Sequence, residues 1–189
     1  MNHLFPRLLM NQNKEGTMEE TLVNKISESG LITLKPEEWI PEANLVTFDI
    51  KDFLFMGQIL KEKDFREAIK TLDWMQYKNK ILCVFCSADA IIPNWAYMLV
   101  ATQAAPYAES VYYGNPDQWR SAQLIGFIEK MEVKAYQDQR VIIKGCSEEF
   151  NIGPEIYVAL TSRLVPVVKS LMFGEPCSTV PVYKRPKGN

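Results

Sequence analysis

The chain has 189 residues, a formal net charge of −2 and 47% hydrophobic residues, which is ordinary for a globular protein with a sizeable core. This near-neutral balance creates no broad basic field, so neither nucleic acid nor a membrane surface is an expected partner. Its apolar runs, such as residues 81–86, are far shorter than the ~20 residues that a membrane-spanning helix needs.

The N-terminal region contains no readable export signal, because Pro6 and Arg7 interrupt its short apolar stretch. The sequence therefore predicts a cytoplasmic protein. In that reducing compartment, cysteines are expected to be free thiols or metal ligands and not disulfides. Residues 1–17 contain a polar, aperiodic stretch and are predicted to form a disordered leader. A single α/β domain is predicted over residues 18–189.

Helical and strand patterns alternate along this domain. A short helix is predicted at 18–29, followed by strands at 31–34 and 45–48 and one or two helices between 53 and 74. The predicted elements then run strand 80–85, a helix between Pro93 and Pro106, strand 110–113, helix 117–130, strand 140–144, helix 154–164 and strand 170–173. Strands alternating with such helices predict βαβ crossovers, and hence a largely parallel sheet flanked by helices.

An internal duplication of a βαβ unit is predicted from a sixty-residue period. Residues 86–116 align with 146–176 without a gap, and eight of the 31 aligned pairs are identical, whereas unrelated segments would share roughly two. The repeat units extend over about 80–116 and 140–176. Cys86 and Cys146 would then follow equivalent strands, whose carboxyl ends line the ligand crevice of open parallel sheets.

A metal site is the first hypothesis for these cysteines. Cys177 lies between two prolines and adds a third thiol, and thiolates suit zinc or an iron–sulfur cluster. The predicted ligands are therefore Cys86, Cys146 and Cys177, with Asp89 or Glu149 as a candidate fourth ligand. The one CxxC spacing, 83–86, lies within a predicted strand, where the two side chains would face opposite sides.

A reactive thiol is the second hypothesis. The same three cysteines lie near predicted turns or helix starts, which favour a thiolate, and hydroxyl side chains follow them at Ser87, Ser147, Ser178 and Thr179. A cysteine–histidine pair is excluded in practice, because the one histidine, His3, lies in the predicted leader. This leaves a thiol-dependent transfer enzyme or a sulfur carrier.

A structural role is the third hypothesis, since free cysteine is commonly buried like a small hydrophobic residue. Cys83, in the middle of a predicted strand, is expected to do only that. The protein would then be a non-catalytic interaction module.

Three runs, residues 48–57, 86–93 and 174–181, resemble an uncharacterised bacterial family, domain of unknown function 2480. The resemblance covers nearly all of residues 18–187. It implies cluster or sulfur handling, with iron–sulfur assembly proteins as partners, and it names no catalytic residue. The leading interpretation is an accessory factor of iron–sulfur metabolism that binds metal through its cysteines. Whether the protein is an enzyme, and whether it forms a homodimer, stays open.

Overall fold

Two β-sheets organise the protein. The computed structural model describes residues 31–145, 152–175 and 178–186. The α-helices are α1 (Glu62–Thr71), α2 (Asn94–Ala104), α3 (Pro116–Lys130) and α4 (Pro154–Leu164). The strands are β1 (Leu31–Leu34), β2 (Leu45–Asp49), β3 (Ile81–Phe85), β4 (Ser110–Tyr113), β5 (Arg140–Ile143), β6 (Ser170–Glu175) and β7 (Ser178–Lys184). The mostly parallel α/β class is confirmed, but the strands form two sheets where one was predicted.

The first sheet belongs to a compact unit that comprises residues 36–131 and 152–160 of the described chain. Its strand order is β2-β3-β4, and both pairings are parallel. The central strand β3 is buried at four of its five positions, as expected for a continuous apolar run covered by helices on both faces.

The two faces of β3 contact different helices. Leu82 and Val84 join a core to which α1 and α2 contribute, whereas Ile81 and Cys83 pack with Trp119 of α3. The split follows from the two-residue period of a strand. The buried side of α2 consists of small or branched residues spaced four apart: Ala96, Val100 and Ala104.

The second sheet belongs to another compact unit, comprising residues 31–35, 132–145 and 161–186 of the described chain. Its order is β1-β5-β6-β7, with β5 parallel to both β1 and β6. The sequence analysis did not predict β7, which pairs antiparallel with β6. Its internal Pro181 obscured the strand signal of the neighbouring valines, because a proline cannot donate to the ladder and is tolerated chiefly in edge strands.

The duplication stays a prediction. Helices α2 and α4 lie sixty residues apart, but the strands before them do not keep that spacing. Ile81 pairs with Ser110 in the first sheet, and Arg140 pairs with Ser170 in the second. If Ile81 and Arg140 are equivalent, the strands are offset by 59 residues and not by sixty. The position equivalent to Cys86 is then Gly145, one residue before Cys146, which the sixty-residue period had predicted.

No helix in the described ranges is both long and apolar enough to cross a membrane. The predicted leader at 1–17 and the predicted helix at 18–29 lie outside the described residues. The single-domain prediction over 18–189 stays a prediction.

Asn79 provides a test of the turn that starts β3. Its φ is +57°, in the left-handed region, and its N–H donates to the Tyr107 carbonyl at 3.2 Å. Asn79→Ala should lower the free energy of unfolding by about 1 kcal/mol, because alanine tolerates this conformation less well than asparagine. Asn79→Gly should not lower it, and the exposed neighbour Lys78→Ala serves as the control in urea titrations. An equal loss for the Ala and Gly variants would contradict the backbone explanation.

Candidate active site and a second sheet edge

Polar side chains gather at the carboxyl edge of the first sheet. Asp49 ends β2, Cys86 and Ser87 directly follow β3, and Tyr113 ends β4. Tyr97 reaches this group from α2. Because parallel strands present their carboxyl ends at one edge, residues far apart in sequence meet there.

Asp49 connects two of these segments. Its Oδ1 accepts hydrogen bonds from the backbone N–H groups of Lys51 and Ser87, both at 3.0 Å. The Lys51 ammonium lies 3.4 Å from Oδ2, and the Asp49 side chain is only 14% exposed. The carboxylate thereby caps the 3₁₀ helix Ile50–Phe53 and also holds the segment that leaves β3.

The charge on Asp49 is stabilised by its surroundings. Burial by itself would raise the pKa of this carboxyl. Two groups of interactions outweigh this effect of burial: hydrogen bonds from the Ser87 hydroxyl and from the backbones of Ser87 and Lys51, and the attraction of the Lys51 ammonium. The pKa of Asp49 therefore lies below its ordinary value of 3.8. Asp49 is therefore an anion at neutral pH.

Cys86 is half-buried and packs on the core face shared with α1 and α2. Its thiol donates to the Ala88 carbonyl, with an S···O distance of 3.7 Å. The rings of Tyr97 and Tyr113 meet edge to face, with centroids 5.1 Å apart. Burial raises the pKa of Tyr97, and Tyr113, Cys86 and Asp49 raise it further, so this phenol remains a proton donor at neutral pH.

Cys83 has the structural role that its sequence position predicts. It is fully buried and packs with Trp119 on the face of β3 opposite to the core that Cys86 contacts. Burial raises the pKa of its thiol, and the positive charge of Arg120 only partly offsets this. The expected separation of 83 and 86 onto opposite faces is confirmed.

Two close contacts join the carboxyl ends of β5 and β6 in the second sheet. Lys144 and Glu175 form an ion pair at 3.3 Å. Gly145 lies against the Phe173 ring so closely that an added Cβ would be 2.0 Å from Phe173 Cζ. Any side chain at position 145 would therefore force the aromatic ring to move.

The predicted metal ligands are only partly described. Cys86 is half-buried, and Asp89 is exposed. Ser87 contacts Asp49, Ser178 pairs with Glu175, and the Thr179 hydroxyl lies 3.9 Å from the Met172 sulfur. Over the described ranges, no three His, Cys, Asp or Glu side chains could jointly hold a metal ion. The remaining predicted site residues lie outside these ranges: Cys146, Ser147, Glu149 and Cys177.

Sequence reasoning about the chemistry missed Asp49, Tyr97 and Tyr113. A signal was present for Asp49, because an acidic residue that directly follows a strand and precedes a turn is a frequent cap. Nothing comparable marked the tyrosines, since a tyrosine at a strand end or on a helix ordinarily packs on the sheet.

Asp49→Asn should lower the free energy of unfolding by about 1–2 kcal/mol near pH 7, because it removes the charge from two hydrogen bonds and an ion pair. A carboxyl with a lowered native pKa stabilises the fold above its ordinary pKa, and this contribution is lost as the pH falls through the native value. The difference between wild type and variant should therefore shrink below about pH 4. Asp52→Asn, on the same 3₁₀ helix, is the control; a pH-independent difference would contradict this assignment.

Comparison with protein-family models matches residues 20–185 to a family described as protein of unknown function (DUF2480). Neither the curated proteins nor the solved structures yield a match. The match spans most of the chain, including both sheet edges described above. The chain therefore belongs to the DUF2480 family of proteins of unknown function.

Proposed function

We propose that the protein is a thiol-dependent sulfur carrier in which Cys86 accepts the transferred atom. The observation that carries the proposal is the Asp49–Ser87 contact, which fixes the segment containing Cys86 at the carboxyl edge of the central strand. A half-buried thiol at such an edge is accessible to a small reactant and yet held in a defined place.

The transfer step balances without an oxidant. The Cys86 thiolate attacks the terminal sulfur of a persulfide R–S–SH, and a new S–S bond forms at Cys86. The bond between the two donor sulfurs breaks, and RS⁻ leaves with the electron pair and takes up a proton. The Tyr97 phenol, which its raised pKa keeps protonated at neutral pH, lies close enough to Cys86 for the two groups to interact electrostatically.

Differential labelling tests the thiol. With iodoacetamide near neutral pH, Cys86 should be alkylated at least ten times faster than Cys83, since Cys83 is sealed in the core and burial raises its pKa. Peptide mass spectrometry after timed quenching measures both rates. In a separate reaction with unalkylated protein, glutathione persulfide should add one sulfur atom to Cys86 in wild type and in Cys83→Ser. The Cys86→Ser variant should lack this added sulfur.

Two results would refute the carrier proposal. One is labelling of Cys86 that is as slow as that of Cys83 in the folded protein. The other is a total persulfide uptake that is as large in Cys86→Ser as in wild type.

We infer metal binding by Cys146 and Cys177 as a second candidate function. The supporting observation is the joined edge of the second sheet, where the Lys144–Glu175 ion pair at 3.3 Å brings together residues two positions before each cysteine. The Gly145–Phe173 contact holds the same two chain segments. Two thiolates supply half of the ligands of a tetrahedral zinc site.

Metal analysis separates this candidate from the carrier. Protein purified without oxygen should contain zinc or iron, and Cys146→Ser or Cys177→Ser should lower the bound metal at least tenfold. Cys83→Ser is the control that should retain it. Metal-free wild type that stays metal-free and colourless after reconstitution with zinc, or with iron and sulfide, would remove this candidate while leaving the carrier intact.

Both candidates imply a reducing compartment, so the cytoplasm remains the proposed location, with iron–sulfur assembly proteins as proposed partners. A duplicated ancestral unit is also proposed. It is supported by an arrangement that both sheets share, a central strand between two parallel neighbours. The helices correspond at sixty residues and the central strands at 59, a difference of one residue.

A further inference from the structure

A short hairpin after the 3₁₀ helix Ile50–Phe53 exposes three large apolar side chains. Phe55 and Ile59 exchange backbone hydrogen bonds at 2.8 and 3.2 Å, which closes the hairpin. Phe55, Met56 and Ile59 are 47%, 83% and 58% exposed. We call residues 55–59 the apolar hairpin. Large apolar side chains clustered on an exposed tip indicate an interaction site more strongly than the same side chains scattered singly.

Backbone strain at the tip is a second observation that is independent of exposure. Met56 and Gly57 are the central residues of a turn closed by a Gln58 N–H to Phe55 carbonyl bond at 3.2 Å, and both have positive φ, +53° and +71°. Glycine, asparagine and aspartate are the usual residues in such turns. A methionine there carries a conformational cost and, being exposed, gains little burial in return. A strained and exposed side chain is a reason to look for a function.

The base of the hairpin is packed into the core. The Phe53 ring stacks on Phe48 at 5.2 Å and meets Phe65 edge to face at 5.4 Å, which anchors the chain in the core just before the hairpin begins. The Lys61 ammonium lies 3.3 Å from the centroid of the Phe55 ring and covers one of its faces. The hairpin is therefore anchored at its base and braced on one face of Phe55, and such preorganisation lowers the entropic cost of binding.

The exposed area of the apolar hairpin and the charges that flank it limit the kind of partner that it can bind. The three side chains expose of the order of 350 Å², less than half of the ~800 Å² that each partner buries in a stable interface, so a stable homodimer cannot rest on it alone. The flanking positions 51–52 and 61–64 carry three lysines and three carboxylates, which gives no net attraction to an anionic membrane.

We propose that the apolar hairpin docks transiently into an apolar pocket of a different protein, with Met56 as the inserted side chain. The proposal stands on these contacts and does not depend on the chemistry of Cys86.

Stability measurements test whether Met56 serves the fold. Met56→Gly should raise the melting temperature or leave it unchanged, because glycine relieves the left-handed conformation at little cost in burial. Thermal unfolding followed by circular dichroism measures this. A lower melting temperature would show that the side chain has a structural role and would overturn the proposal.

Site-specific photocrosslinking tests docking. Benzoylphenylalanine placed at position 56 in the full chain, in cells of the source organism, should form an adduct with one protein that mass spectrometry identifies. The matched position 98, another exposed methionine on α2, should not form it. The identified protein, once purified, should bind wild type at least ten times more tightly than Met56→Gly.

Four results would overturn the proposal: no adduct at 56, equal adducts at 56 and 98, an adduct whose mass equals two copies of this chain, or equal binding of Met56→Gly by the purified partner. The stability of Met56→Gly, measured first, ensures that weaker binding is not a sign of unfolding.

Discussion

The contact between Asp49 and the backbone of Ser87 is the interaction on which the first sheet edge depends. One partly buried carboxylate ends β2, caps the 3₁₀ helix after it and holds the segment that leaves β3. This carboxylate therefore holds both the segment that contains Cys86 and the start of the 3₁₀ helix that precedes the apolar hairpin. A neutral hydrogen bond would hold the same segments less firmly, because bonds to a charged acceptor are about twice as strong.

Sequence periodicity predicted elements well where one physical signal dominated. The apolar run of β3 and the capped helix α3, with Asn115 and Gln118 bonded reciprocally, lie close to where their patterns place them. Pattern could not predict that β1 pairs with β5, across more than a hundred residues, because pairing is decided by tertiary packing. For the same reason the strands divide into two sheets instead of one.

The candidate sites show the same limit. Cys83 could be assigned to the core from its place in β3, and the structure confirms it. Asp49 carried only a local capping signal in the sequence, and Tyr97 carried none. They become functional candidates through their neighbours, a backbone N–H thirty-eight residues away in one case and a second tyrosine ring in the other. Residue types can therefore suggest chemistry, but which groups meet depends on register and packing.

The outer strand β7 has a consequence for how the second sheet can meet other molecules. Pro181 lies within it and has no N–H to donate, and Val182 falls at a bulge that breaks the register with β6. Unpaired edges of a sheet commonly recruit a further strand, from a partner or from an aggregating copy, and prolines and bulges prevent this. Among the described strands β7 is thus the end of the hydrogen-bond ladder, and its proline and bulge disfavour the addition of a further strand there, so side chains, including the exposed valines, are the groups that this edge offers for recognition.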